Sequence, residues 1–474
     1  MSFKNGLFNG IKWTTLSSII NVTVKLLQVI ILTRYLSKSD FGVVAIALLF
    51  IQFTDIFLEM GLTSAILHKQ NITRNEYSSL FWLNIISGIL IYGILILLTP
   101  LISMHYKEPI LNTVIPLLGL NIVFSSIGRQ QRTIEQKNLR FKVIALVEIF
   151  ASVVTFIVAL ILAITGKGIY SLVFSTIIGL LFSNLVFFFH GILVCKNVGV
   201  HFSFTEVKSF LKIGGFQLGT SMLDFLSREA DIIIISNFFS KEFLGVYSLS
   251  KQLVMRLYGF VNPIMTKVLT PLLASMQNKQ TELKSKYLKV IEFLSFLNYP
   301  LYFLIALNAT PLLILLYGKQ YAEGGFILAI LSVNYGILSI ANPVGSLQVA
   351  LGRTDLGFYW TIYRVIVSIT AIYIGSLFSI QGVVWSILIC NILNILPFWR
   401  MQLYNLIRIK LLEYLKFQYI PFILSLILFV IIRLIPVPHN NILSILIYST
   451  LFTSAYLLIL KKNLFSHFNY ISKR

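Results

Sequence analysis

The stretch Asn21-Val-Thr-Val-Lys25-Leu-Leu-Gln28-Val-Ile-Ile-Leu-Thr-Arg-Tyr-Leu-Ser37-Lys38-Ser-Asp-Phe41-Gly42-Val43-Val44 decides how the chain is read, because it sets a cation inside an apolar run and then turns into a short polar connector. Asn21, Lys25 and Gln28 are spaced four and three apart, which places them on one face of an α-helix. The pattern returns in altered form. Asp224, Arg228 and Asp231 keep the spacing, and Ser240-Lys241 followed by Leu244-Gly245-Val246 repeats Ser37-Lys38 followed by Phe41-Gly42-Val43. A charge at the centre of a bilayer costs roughly 3 kcal/mol or more, so each helix must turn its cation toward protein or water. Two such helices predict a shared polar cavity.

Composition supports a membrane setting. Hydrophobic residues make up 57% of the 474 and charged ones 12%, with a mean hydropathy of +0.86. Apolar runs of spanning length follow one another from about 13–33 to about 442–460, and fourteen of them can be marked. The first is long enough to stay as an anchor rather than serve as a cleaved leader. An even number of spans puts both termini on one side, and the cations choose which. With cytoplasmic ends, the inner segments hold Arg129, Arg132, Lys137, Arg140, Lys142 and the lysines around Lys279 to Lys289. The outer ones keep only Arg34, Lys38, Lys107, Lys167, Lys241, Lys319 and Arg433. This positive-inside asymmetry accounts for the net charge of +21 without a nucleic acid partner.

The repeat extends beyond the connector. Asn121 corresponds to Asn334, Ser126-Ile127 to Ser339-Ile340, and Arg140 to Arg353. The expected fold is therefore an all-α integral membrane protein of about 14 transmembrane helices, with two six-helix lobes related by a pseudo-two-fold axis along the membrane normal. The expected boundaries are 1–200 for the first lobe, 201–402 for the second and 403–474 for a C-terminal hairpin. Gly128 to Lys142 and Met265 to Lys289 read as long basic inner loops, or as short amphipathic helices on the inner leaflet.

Enzyme signatures are missing from the sequence: there is no Gly-rich phosphate loop, no HExxH and no Gly-x-Ser-x-Gly, and the six His are scattered. Neither a cofactor nor a metal is expected. Cys195 and Cys390 are too few for a disulfide framework or a zinc site and read as small apolar fillers. The intramembrane ions carry the chemistry. Lys25, Arg228, Lys251 and Arg256, with Gln28 and Asn21, are the candidate substrate-binding residues of the cavity. Asp55, Glu59, Asp224 and Asp231 are candidates for a coupling ion or for structural salt bridges. Arg and Lys clusters of this kind suit phosphate groups. The bland alternative is interhelical pairing, Asp224 with Arg228 above all, and for the amides interhelical hydrogen bonding.

The run from Leu32 to Ala47, with Glu59-Met-Gly-Leu62, Phe81-Trp-Leu-Asn84, Gly214-Gly-Phe-Gln217 and Tyr247-Ser-Leu-Ser250, resembles the polysaccharide transporter family of the multidrug/oligosaccharidyl-lipid/polysaccharide exporter superfamily. The resemblance covers essentially the whole chain. It implies a flippase of polyprenyl-pyrophosphate-linked oligosaccharides for O-antigen, capsule or exopolysaccharide assembly in the bacterial cytoplasmic (inner) membrane, with membrane lipids, a glycan polymerase and glycosyltransferases as partners. It also implies two lobes around a cationic cavity that opens alternately to each side, with cations in the first, seventh and eighth helices at Lys25, Arg228 and Arg256. Asp55, Glu59 and Asp224 depart from a purely cationic cavity. The rival reading is a cation-coupled multidrug or metabolite antiporter of the same superfamily. A non-transporting scaffold is a third class, and the segment Thr63 to Ser79 lacks the pattern of a major facilitator.

Overall fold

The computed structural model describes the backbone of residues 3–59, 63, 66, 67, 69, 71–193, 199–436 and 440–472, and the side chains of these except 3–11, 209, 211–217, 260–268, 270, 271 and 460–472. Cys195 lies outside the described residues, whereas Cys390 is buried. The long helices are α1 (Phe3–Leu32), α2 (Lys38–Glu59), α3 (Arg74–Tyr106), α4 (Leu111–Lys137), α5 (Phe141–Ile164), α6 (Tyr170–Leu193) and α7 (Phe204–Phe238). They continue with α8 (Lys241–Ala274), α9 (Gln280–Leu307), α10 (Gly324–Ala341), α11 (Thr354–Ser376), α12 (Ile380–Leu393), α13 (Leu411–Arg433) and α14 (Asn441–Ser472). Among the described residues there is no strand, and 12 helical segments are long and apolar enough to cross a membrane. α7 and α8 are not among those, since their described parts carry Asp224, Arg228, Glu229 and Asp231 in one and Lys241, Glu242, Lys251 and Arg256 in the other.

The chain forms two compact units, Met1–Gly245 and Val246–Arg474. In the first, α4 packs between α3 and α6, α5 lies against α1 and α6, and α2 lies against α4 and α7. α7 follows the expected lobe boundary at residue 200 yet belongs to this first unit, where Phe225 meets Phe53 of α2 with ring centroids 5.5 Å apart. The basic segment after Gly128 is neither a loop nor a surface helix. It is the last part of α4, with Gln130, Gln131, Thr133, Ile134 and Glu135 buried. No helix breaker stands before Asn138, and tertiary partners satisfy several of its polar side chains, so the helix continues. Met265 to Lys289 is likewise mostly helix, since α8 runs to Ala274 and α9 starts at Gln280.

The two connectors behave alike. α2 begins at Lys38 and α8 at Lys241. Before α2, Ser37 N donates to Asp40 Oδ2 at 2.9 Å and Asp40 N donates to Ser37 Oγ at 3.2 Å, a reciprocal cap that satisfies two otherwise orphaned donors. The connectors also meet each other. A Cβ on Gly42 would run into the carbonyl of Lys241, and a Cβ on Gly245 would run into the carbonyl of Lys38. Each glycine thus meets the backbone of the first residue of the other helix, and the two contacts are reciprocal. Lys241 is further fixed by an ion pair to Glu108, just after α3. Arg140 and Arg353 directly precede α5 and α11 with φ/ψ of −87°/52° and −108°/50°.

In the second unit, α9 packs against α10 and α13. Tyr299 and Phe303 of α9 meet Phe422 of α13 at centroid distances of 5.2 and 5.6 Å, Tyr299 Oη donates to Gln418 Oε1 at 3.3 Å, and Tyr456 of α14 donates to the Phe296 carbonyl at 3.2 Å. The C-terminal helix pair is therefore built into the core of this unit through α9.

Gly245→Ala is expected to destabilise the purified protein by about 1–3 kcal/mol, because a methyl group must displace backbone. Gly93→Ala, where nothing lies within 4 Å of the new Cβ, is the matched control and should leave the thermal midpoint unchanged or slightly raised. The two midpoints, measured side by side in detergent, check this.

Candidate functional site

The polar stripe of α1 faces its own unit. Asn21 Oδ1 accepts from Ser152 of α5, and the buried Gln28 donates through Nε2 to Ser175 Oγ of α6 at 3.5 Å. Both amides act between helices, while Lys25, between them on the same face, is exposed. α2 contributes Asp55, whose Oδ1 lies 2.5 Å from Nη2 of Arg129 on α4. That partner was hidden from the sequence, which assigned Arg129 to a loop. Glu59 is exposed at the end of α2. On α7, Asp224 and Arg228 are exposed, and Arg228 Nε donates to the neighbouring Glu229 at 3.0 Å. Asp231 is buried, with Oδ1 accepting from the Ile232 N–H at 2.8 Å.

Sequence reasoning missed a second ionic cluster where α4 meets α6. Glu135 is fully buried, accepts from Gln131 Nε2 at 2.9 Å, and has His190 Nδ1 at 3.6 Å and Arg140 Nη1 at 3.9 Å. Its only signal was Glu135 as the lone acid among five cations.

The second unit holds the other candidates. Lys251 of α8 is buried, and Arg256 is half-buried with Nη1 closed off from solvent and without a hydrogen-bond partner among the described residues. Tyr317, fully buried at the end of the short helix Ala309–Tyr317, lies within electrostatic reach of Arg256. The charge-based reading also passed over Tyr258 of α8, Tyr302 of α9 and Tyr335 of α10, which gather near Arg364 of α11. Arg364 alone of these was visible as an ion inside a span.

Outside the spans, the segment leading into α7 is latched to the start of α3. Ser78 Oγ donates to the Gly199 and His201 carbonyls at 2.6 and 2.8 Å, Ser79 Oγ donates to Glu206 Oε2 at 2.6 Å, and His201 Nε2 stands 3.1 Å from Glu206 Oε1. The Ser79 hydrogen bond, with His201 beside it, holds the Glu206 carboxyl below the usual range. Together these hydrogen bonds fasten the segment before α7 to the first turns of α3.

Comparison with known proteins follows from this geometry. The model of the family described as "Polysaccharide biosynthesis protein" matches residues 31–324, which takes in both connectors and the charged helices α7 and α8. The chain belongs to this family. Relatives with curated names include the lipopolysaccharide biosynthesis protein WzxC of Escherichia coli (strain K12), 26% identical over 431 residues, covering 90% of this chain and 87% of that one. The teichuronic acid biosynthesis protein TuaB of Bacillus subtilis (strain 168) is 27% identical over 432 residues, covering 90% and 88%. Among solved structures, the fold is similar to that of the lipid II flippase MurJ in an inward closed conformation, with a TM-score of 0.74 at 16% identity over 96% of this chain and 100% of that one. The chain is thus a multi-pass bacterial membrane protein of a polysaccharide biosynthesis family.

Two outcomes test the described contacts. A double-mutant cycle with Asp55→Ala and Arg129→Ala should give a coupling of about 1 kcal/mol, read from thermal or denaturant unfolding. Because the Glu206 pKa is depressed in the folded protein, its latch contributes fully above the ordinary glutamate range and is lost as pH falls through the depressed value. The thermal midpoint should therefore drop on acidification below about pH 4.5, and Glu206→Gln should remove part of that drop.

Proposed function

We propose that this protein moves polyprenyl-diphosphate-linked oligosaccharides from the inner to the outer leaflet of the bacterial cytoplasmic membrane by alternating access, feeding O-antigen, capsule or exopolysaccharide assembly. One observation carries the reading: the long helices α1, α7 and α8 each keep a cation inside their length, Lys25 and Arg228 exposed and Arg256 half-buried with Nη1 unmatched by any described residue. A bare diphosphate cannot enter hydrocarbon, because burying its charge without partners is prohibitively costly. Basic side chains that line a wet path supply those partners, while the prenyl tail stays in lipid. The names of the curated relatives, which concern lipopolysaccharide and teichuronic acid, support a glycan cargo.

In this scheme fourteen helices cross the bilayer with both termini cytoplasmic, in two six-helix repeats and a C-terminal pair. The reciprocal contact of Gly42 and Gly245 lies on the outer side, where the connectors separate as the path opens outward. Lys251, with Asp224 and Asp231 near Arg228 of α7, tunes the charge of the path, and Asp231, the most buried of the candidate acids Asp55, Glu59, Asp224 and Asp231, is the one to bind a coupling proton or sodium ion. Asp55, held by Arg129, acts as a structural anchor.

Lys25→Ala combined with Arg228→Ala should lower translocation of a fluorescent polyprenyl-diphosphate glycan in proteoliposomes at least about tenfold, with each cation supplying one charge-assisted contact. Undiminished translocation rules the assignment out.

A further inference from the structure

Deep within the second unit, three tyrosines and an arginine from four different helices converge. The rings of Tyr258 (α8) and Tyr335 (α10) meet edge to face, with centroids 5.5 Å apart and planes at 70°. Tyr302 of α9 is within electrostatic reach of both, and α10 comes so close that a Cβ on Gly336 would stand 3.3 Å from Tyr302 Cβ. Arg364 of α11 is within electrostatic reach of Tyr258. Tyr258, Tyr335 and Arg364 are partly accessible, whereas Tyr302 is buried at 1% exposure, and its hydroxyl finds no hydrogen-bond partner among the described residues.

A buried hydroxyl without a partner is destabilising, and most buried polar groups in native proteins are matched. Phenylalanine at 302 would fill the same space without that cost, so the hydroxyl has a use that the described residues do not meet. The surroundings specify what that is. Aromatic faces suit a flat, weakly apolar surface, a phenol hydroxyl both donates and accepts, and a guanidinium donates in a fork. A sugar ring matches all three, with C–H bonds on its face and hydroxyls at its edge. Tyr258, Tyr335 and Arg364, each partly accessible, are the members of the cluster that such a ring would meet first.

We infer that Tyr258, Tyr302, Tyr335 and Arg364 form a sugar-reading subsite in the second unit, where the Tyr258–Tyr335 pair packs against a pyranose of the glycan headgroup while Tyr302 Oη and the Arg364 guanidinium bond its hydroxyls. The subsite rests on the flippase reading and deepens it: the cations handle the diphosphate common to all such lipids, and the tyrosines sense the glycan.

The test is initial translocation rate in proteoliposomes for two probes: the polyprenyl-diphosphate oligosaccharide extracted from the cells that make this protein, and unglycosylated polyprenyl diphosphate. Tyr302→Phe should slow the glycosylated lipid about fivefold, the equivalent of one hydrogen bond. It should leave the bare lipid at its wild-type rate and the thermal midpoint unchanged or raised. Tyr258→Leu, which removes a ring face, should also slow only the glycosylated lipid, and Tyr258→Phe should largely restore it. Wild-type rates for Tyr302→Phe on the glycosylated lipid, or equal losses on both lipids, overturn the subsite and leave the flippase reading standing. Wild-type protein that moves neither probe overturns that reading and the subsite with it.

Discussion

The constraint on which the structure depends is the cost of placing a charged or strongly polar side chain in hydrocarbon. Each such group within a spanning helix must find a partner in protein, water or ligand. In the first unit most find protein. Asn21 and Gln28 hold α1 to α5 and α6, Asp55 takes Arg129 of α4, and Glu135 collects Gln131, His190 and Arg140. These bonds replace the greasy packing that drives folding in water, since between lipid-exposed helices the hydrophobic effect distinguishes little.

In the second unit the matching is less complete: Arg256 Nη1 and Tyr302 Oη keep hydrogen-bonding capacity that the described residues do not use. Apolar residues of equal size would fill the same space without that cost, so these two groups stand apart from the ones that hold helices together.

The connectors add a second constraint, the close approach of backbone to backbone. Ser37-Lys38 to Val43 and Ser240-Lys241 to Val246 each start a helix and each press a glycine against the backbone of the other. Contact at this range admits no side chain, so both positions need glycine.

The sequence by itself determined the solvent, the fold class and the family. Apolar runs of spanning length, the positive-inside bias and the repeated connector depend on local composition and spacing, and hydropathy is legible residue by residue. The cations of α1, α7 and α8 were legible for the same reason, since an ion in an apolar run stands out against its neighbours. Only the tertiary structure decided which polar groups answer one another. Arg129 was indistinguishable from a loop cation until α4 was seen to continue past it, and Asn21 and Gln28 share a helical face with Lys25 although their partners lie on other helices. Tyr258, Tyr302 and Tyr335 gave no signal at all, because a tyrosine in a membrane helix is common and its meaning lies in what approaches it. Partnership between side chains distant in sequence is set by how helices cross, which no local pattern records.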